Sequence, residues 1–235
     1  MIVNLISSPR NISTATMYAF ANHGAFKVMD EPFYAYYLQL TGADHPGKEE
    51  IIQSQPTSVQ GVLEWIHDSQ KLNQHLFIKN MAHHLIDMDL NFLQDYTNVL
   101  LIRDPKQLIT SFAKVIPNPK MSDIGVKRQY EIYQFLGEKC IVLDSNEVLK
   151  NPENVLKKLF DNLEIPFSAT MMQWEPGAIA EDGVWAKYWY DSVHQSSGFS
   201  KKITSNPAFP KHCLALLEES MPYYSQLHQK AIKAD

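Results

Sequence analysis

The chain reads as an α/β protein: a central parallel sheet of about five strands with helices on both faces. Three observations predict this. Short apolar runs at residues 2–6, 25–29, 75–78, 99–102 and 140–143 have the length of buried strands, and each is followed by turn or polar residues. Between them lie stretches with apolar residues at helical spacing. Alternating strands and helices pair in parallel through crossover connections, which leaves helices covering both faces.

The elements follow in order. After the first strand and a polar loop, residues 13–22 place Met17, Phe20 and Ala21 at helical spacing. The second strand leads into an aromatic-rich helix at 31–40, and residues 58–73 carry Val59, Val62, Leu63 and Ile66 on one face. Helices are expected at 106–114, 123–137 and 152–163 around the last two strands. Beyond Pro166 no strand is expected. That part reads as helical or irregular, with Trp174, Trp185 and Trp189 and a final helix near 211–217. No repeat or low-complexity linker interrupts the chain, so residues 1–235 read as one domain, mainly helical from about 166.

Composition narrows the function classes. With 235 residues, 45% of them apolar, the chain can build a core without disulfide or metal staples. Its longest apolar stretch, residues 33–38, is far short of the roughly 18 residues of a membrane span. The first residues carry no basic region and no long apolar segment, so no secretion signal is expected, and Asn11-Ile12-Ser13 is a coincidental sequon. Two cysteines, Cys140 and Cys213, make no disulfide framework, and a cytoplasmic location follows as the simplest expectation. A net charge of −5 argues against a general nucleic-acid binder.

The arginines direct the search for a site. Of 21 basic residues only Arg10, Arg103 and Arg128 are arginine, the side chain suited to forked recognition of phosphate. Arg10 and Arg103 each follow a predicted strand. In open α/β sheets ligands sit beyond the carboxyl ends of the strands, where these residues fall. The loop Ser7-Ser8-Pro9-Arg10-Asn11-Ile12-Ser13-Thr14 joins the first strand to the first helix. Its hydroxyls could cap that helix, and the free N–H groups of the helix would face the loop mouth. The motif lacks the Gly-rich and Lys-Ser/Thr pattern of a nucleoside-triphosphate P-loop. Arg103-Asp104-Pro105 ends the fourth strand, and Ser111 lies eight residues on, spaced to converge with Arg103 on one phosphate. Each feature alone also fits an ordinary strand–turn–helix joint.

Together the two loops resemble the sulfotransferases that use 3′-phosphoadenosine 5′-phosphosulfate (PAPS), a P-loop-like three-layer fold. Pro9-Arg10-Asn11-Ile12-Ser13-Thr14 is similar to the family's 5′-phosphosulfate loop, and Arg103 with Ser111 to its 3′-phosphate motif. The likeness covers mainly residues 1–112 and is nearest to sulfotransferase-like proteins with a Pro-Arg-Asn-Ile-Ser-Thr loop. Ile12 stands where glycine is usual and Asn11 where serine is usual. The resemblance implies that Arg10, Asn11, Ser13, Thr14, Arg103 and Ser111 bind PAPS. No metal is expected, since sulfuryl transfer from PAPS requires none and the sequence offers no convincing metal site.

Sulfuryl transfer needs a base for the acceptor and positive charge on the transferred group. Glu31 follows the second strand at the same sheet edge as Arg10, with Asp30 beside it to raise its pKa. The resemblance implies a glutamate base at this distance from the phosphate loop. Lys79, leaving the third strand, is expected to contact the sulfuryl group. His83 and His84 are alternative bases, and being adjacent they are expected to diverge rather than chelate a metal. Phe33, Tyr34, Tyr36, Tyr37, Trp174, Trp185 and Trp189 are either core or acceptor-pocket lining. Gly183-Val184-Trp185-Ala186-Lys187 resembles the family's late Gly-x-Trp-Lys segment, and His194-Gln195-Ser196-Ser197-Gly198 is a candidate late phosphate-contacting loop. The function expected is sulfuryl transfer from PAPS to a hydroxyl or amine of a small molecule. The alternatives are a non-catalytic adenosine 3′,5′-bisphosphate-binding module and a divergent P-loop kinase.

Overall fold

Successive residues of the first strand, β1 (Ile2–Ser7), feed two different cores. Val3 and Leu5 join one apolar cluster, and Ile2 and Ile6 join the other. This is the period-two alternation of a strand covered on both sides. In the computed structural model, which describes residues 1–199 and 208–235, the same division runs through the sheet. Phe77, Val99 and Leu101 face the first core; Leu76, Ile78, Leu100 and Ile102 face the second.

The other strands are β2 (Phe26–Asp30), β3 (His75–Met81), β4 (Thr97–Ile102), β5 (Ile141–Asp144) and β6 (Ala231–Ile232). Their order is β2-β3-β1-β4-β5-β6, and every pairing is parallel. Six strands thus replace the expected five. β6 lies in the tail, where no strand was expected: two residues carry no periodicity, and only pairing with Val142 and Leu143 makes them a strand. The central strands carry a buried polar ladder in which Asn80 donates to Asn4 (2.8 Å) and Asn4 to Asn98 (2.9 Å).

The helices are α1 (Ser13–Asn22), α2 (Tyr34–Thr41), α3 (Lys48–Ser54), α4 (Val59–Lys71), α5 (Pro105–Phe112), α6 (Met121–Ile124), α7 (Val126–Leu136), α8 (Ser145–Lys150), α9 (Pro152–Leu163), α10 (Ala186–Trp189), α11 (Asp191–His194) and α12 (Leu214–Lys230). Sequence places α1 and α9 at their observed bounds. Their starts differ in kind: Asn151 caps α9 through its side chain to Asn154 N (3.3 Å), whereas no side chain caps α1. The single helix expected at 123–137 is two, because Gly125 turns left-handed (φ 66°) between them. The final helix begins where expected but runs to Lys230. Helices α1 and α9 cover the first core; α4, α5, α7 and α12 cover the second.

Among the described residues no helix is long and apolar enough to cross a membrane. Both cysteines are buried and free.

Candidate active site

At the carboxyl edge of the sheet, the loop between β1 and α1 is pinned from below. Asn11 donates from its amide to the Leu101 carbonyl at the end of β4 (2.9 Å), and its side-chain oxygen accepts from Ile12 N (2.9 Å). The expected ligand contact of Asn11 is therefore not its carboxamide, which is spent on shaping the loop. Gln129 of α7 braces the same edge by donating to the Ile6 and Leu101 carbonyls (3.1 and 3.0 Å).

The residue in the left-handed region is Arg10 (φ 55°), not Ile12. Ile12 has φ −87°, ordinary for any side chain, and packs against the first core. The missing glycine thus distorts nothing in the backbone. Ser13 and Thr14 open α1 rather than cap it, since no side chain accepts from its first turn. Their N–H groups are left to the loop mouth, where the helix dipole favours an anion.

Arg10 and Arg103 meet there. Arg103 donates to the Arg10 carbonyl, and Arg10 Nε donates to Ser111 Oγ (3.3 Å). Burial and the neighbouring Arg10 charge both lower the Arg103 pKa, and Asp104 and Asp144 oppose that only in part. Two guanidinium groups and a hydroxyl on one spot suit an anion bearing more than one negative charge.

A cavity of about 310 Å³ opens beside this loop, and Arg10, Ser13, Thr14, Glu31 and His84 are among its lining residues. Glu31 is only 5% exposed and sits in the left-handed region (φ 37°). Its backbone is held there from both sides: its N–H donates to the Lys79 carbonyl (2.7 Å), and its own carbonyl accepts from Gln55 (3.2 Å). Strain of this kind persists where surrounding bonds over-determine it.

Lys79 does not leave the sheet as expected. β3 continues to Met81, and the alternation turns Lys79 to the same side as Phe77, where it is fully buried. Its ammonium donates to Asp30 Oδ1 (2.9 Å), to Glu31 Oε1 (2.5 Å) and to the Tyr190 hydroxyl. An ammonium has three donors, and all three are engaged. Burial, then the Lys79 charge acting against it, then Asp30, set the Glu31 pKa, and the outcome is upward.

Tyr190 was not singled out from the sequence. Its hydroxyl lies within reach of both Asp30 oxygens (2.9 and 2.8 Å) and of Glu31 Oε1 (3.3 Å), and it accepts from Trp185 Nε1 (3.0 Å). Gly183 N also donates to Asp30 (3.1 Å). The Gly183–Lys187 stretch therefore does reach the site, but through backbone and Trp185; Lys187 is exposed and pairs with Glu50. No periodicity or spacing marks a lone tyrosine at 190; only the fold brings it 159 residues back to Glu31.

The histidines do not diverge. Their rings pack 4.4 Å apart, and Tyr37 contacts both. His84 lies beside Glu31, with Nδ1 3.7 Å from Oε2, its ring stacked on Tyr34 and Tyr37. His83 stands one step further out. Burial lowers its pKa to about 3 and holds His84 well below the usual range, so both rings are neutral. Of the aromatic set, Tyr34, Tyr37 and Trp189 line the cavity, whereas Phe33, Tyr36, Trp174 and Trp185 belong to the cores. His194 and Ser196 are bound to Asp182 and Trp174 rather than to the phosphate loop. No group of three or more potential metal ligands occurs among the described residues.

Comparison with known proteins adds three observations. Residues 1–231 match the family described as sulfotransferase domain. The chain is 34% and 35% identical over 230 residues to branched-chain-amino-acid aminotransferase-like proteins 2 and 1 of Arabidopsis thaliana, covering 96% of this chain and 41% of each relative. It thus spans about two fifths of the length of those relatives. In fold it is similar to the sulfotransferase domain from the curacin biosynthetic pathway (17% identity, 97% of both chains, TM-score 0.57). It is likewise similar to mouse sulfotransferase SULT7A1 complexed with PAP (11% identity, 98% of this chain and 89% of that one, TM-score 0.52).

Proposed function

The chain belongs to the sulfotransferase domain family, and from that premise we propose that it moves a sulfuryl group from PAPS to a hydroxyl or amine of a small-molecule acceptor. The observation that carries the reading is the convergence of Arg10, Arg103 and Ser111 beside a cavity that also holds a buried carboxylate. Arg10, the open first turn of α1 and the hydroxyls of Ser13 and Thr14 hold the 5′-phosphosulfate. Arg103 and Ser111 hold the 3′-phosphate. The cavity volume falls at the low end of small-molecule sites, room enough for the reacting end of donor and acceptor.

The acceptor oxygen attacks sulfur, the bond from sulfur to the bridging phosphate oxygen breaks, and adenosine 3′,5′-bisphosphate leaves with the bonding electrons. Glu31 takes the acceptor proton. Oε1 is held by Lys79 and Tyr190, so Oε2, on the His84 side, is the oxygen that receives it. Lys79, with its donors committed, positions Glu31 and keeps a share of it ionised rather than clamping the sulfuryl group. Positive charge on that group comes from Arg10 and the helix N–H groups. A cytoplasmic setting, read from cysteine usage, belongs to the same proposal.

The test is direct. Adenosine 3′,5′-bisphosphate should raise the melting temperature more than ATP with Mg²⁺, and radiolabelled PAPS should transfer sulfate to a component of a cell metabolite extract. Stabilisation without transfer would favour a non-catalytic nucleotide-binding module; stabilisation by ATP with Mg²⁺ alone would favour a kinase.

A further inference from the structure

The cavity carries charge of both signs. Among the described residues its only lysine and arginine are Lys79, committed to Asp30, Glu31 and Tyr190, and Arg10 of the loop after β1. The lining also carries two carboxylates, Asp44 and Asp123, whose charges both act on His45. Asp44 is exposed and Asp123 half-buried, so they stand toward solvent while Glu31 lies deep. The rings of Tyr34, Tyr37 and Trp189 line the same cavity.

Two further observations point to a ligand in this cavity. His83 is 92% buried by the complement of its 8% exposure, lines this cavity and the next, and its Nδ1 has no hydrogen-bond partner. In the neutral ring Nδ1 carries either a proton or a lone pair, and either one lacks a partner in the protein. The adjoining cavity, about 670 Å³, shares Tyr37, His83 and Asp123 with the first and carries Asp87, Glu131 and Glu219 as well. Its cations are Lys127 and Arg128, and Arg128 is occupied by the Leu85 carbonyl and Glu131. The lining of the adjoining cavity therefore carries an excess of negative charge.

We propose that the acceptor is a hydroxyl compound bearing a protonated amine, its cation held by Asp44 and Asp123 while its hydroxyl faces Glu31. This rests on the sulfotransferase reading and adds the class of acceptor. An anionic acceptor is repelled by these carboxylates; a neutral one leaves them without a partner. The carboxylate oxygens of Asp123 accept from Lys120 N (2.8 Å) and Ser122 Oγ (3.1 Å) and retain lone pairs for an ammonium.

Three matched phenols test it: tyramine, N-acetyltyramine and 3-(4-hydroxyphenyl)propionate, cationic, neutral and anionic. Binding of each to the protein saturated with adenosine 3′,5′-bisphosphate is measured by calorimetry, and turnover with PAPS is measured alongside. Tyramine should bind at least about tenfold more tightly than the neutral probe, as a charge-assisted contact implies, and the anion should bind weakest. Asp123→Asn, whose carboxamide oxygen still accepts from Lys120, should remove most of that preference. Asp44→Asn, outside any helix, should lower it independently. Equal affinity for the three probes, or no binding of any to a nucleotide-loaded protein, overturns the acceptor class and leaves the sulfotransferase reading standing. Failure to bind the nucleotide overturns both.

Discussion

Arg10 and Ser111, 101 residues apart in sequence, share a hydrogen bond of 3.3 Å from Nε to Oγ. The loop after β1 and the helix after β4 therefore meet at one place, the proposed anion site, where Arg103 also donates to the Arg10 carbonyl. If Arg103 is dedicated to a 3′-phosphate, Arg103→Ala should erase the preference for adenosine 3′,5′-bisphosphate over adenosine 5′-phosphate. The loss should be about 1.5–3 kcal/mol, the range for a hydrogen bond to a charged group. Calorimetry with both nucleotides reads it; an unchanged preference removes Arg103 from the donor site.

Glu31→Gln keeps shape and polarity but cannot accept a proton. Turnover should fall by about 10²–10⁴-fold, the usual share of general-base catalysis, with nucleotide affinity near wild type. A base works ionised, and burial raises the Glu31 pKa above the usual glutamate range. The rate should therefore decline as pH falls through that raised value. Asp30→Asn, by removing a like charge, should move the decline to lower pH. A pH profile insensitive to both substitutions would pass the role to His84.

Lys79→Met leaves two buried carboxylates without their counter-ion. Breaking a buried ion pair from one side costs about 3–5 kcal/mol, and urea denaturation should show a loss of that order. Adding Asp30→Asn removes one of the stranded charges and should recover part of it. Equal stability of the single and double variants would mean that Asp30 and Lys79 are not energetically coupled.

His83 shapes the response to acid. Its pKa falls from 6.5 to about 3 on folding, so between those values the unfolded chain binds a proton that the folded one does not. Stability contributed by the neutral ring is whole above pH 6.5 and drains away as pH falls toward 3, by up to about 1.4 kcal/mol per pH unit. His83→Phe, a ring that still packs against Tyr37, should flatten the stability curve below pH 6.5. A curve as steep as wild type would assign the acid sensitivity to other groups.

Sequence and structure part company for identifiable reasons. The five longer strands were legible because each is a buried run bounded by polar residues, and Arg10 with Arg103 because few arginines compete for attention. β6 was not, since two residues have no pattern of their own. Ile12 stands where glycine is usual, yet the left-handed backbone lies two residues earlier, at Arg10, a conformation that residue type does not announce. Lys79 was placed by its position near a strand end; its direction depended on the pleat and on how far β3 ran. Asn11 fitted a ligand loop, but its carboxamide satisfies a β4 carbonyl that only the sheet order brings near. Tyr190 and the Asp44–Asp123 pair are products of tertiary folding alone.

The Asp30–Lys79–Glu31 cluster closes only when the Gly183 amide and the Tyr190 hydroxyl arrive from the far end of the chain. Contacts across about 160 residues carry a large loop-closure cost and form after the local strand–helix units. The last partners of the Glu31 carboxyl are therefore supplied by the C-terminal part of the chain, whereas the Arg10–Ser111 contact lies wholly within the first 111 residues. Damage confined to the tail should disturb the proposed base and leave the proposed donor site in place.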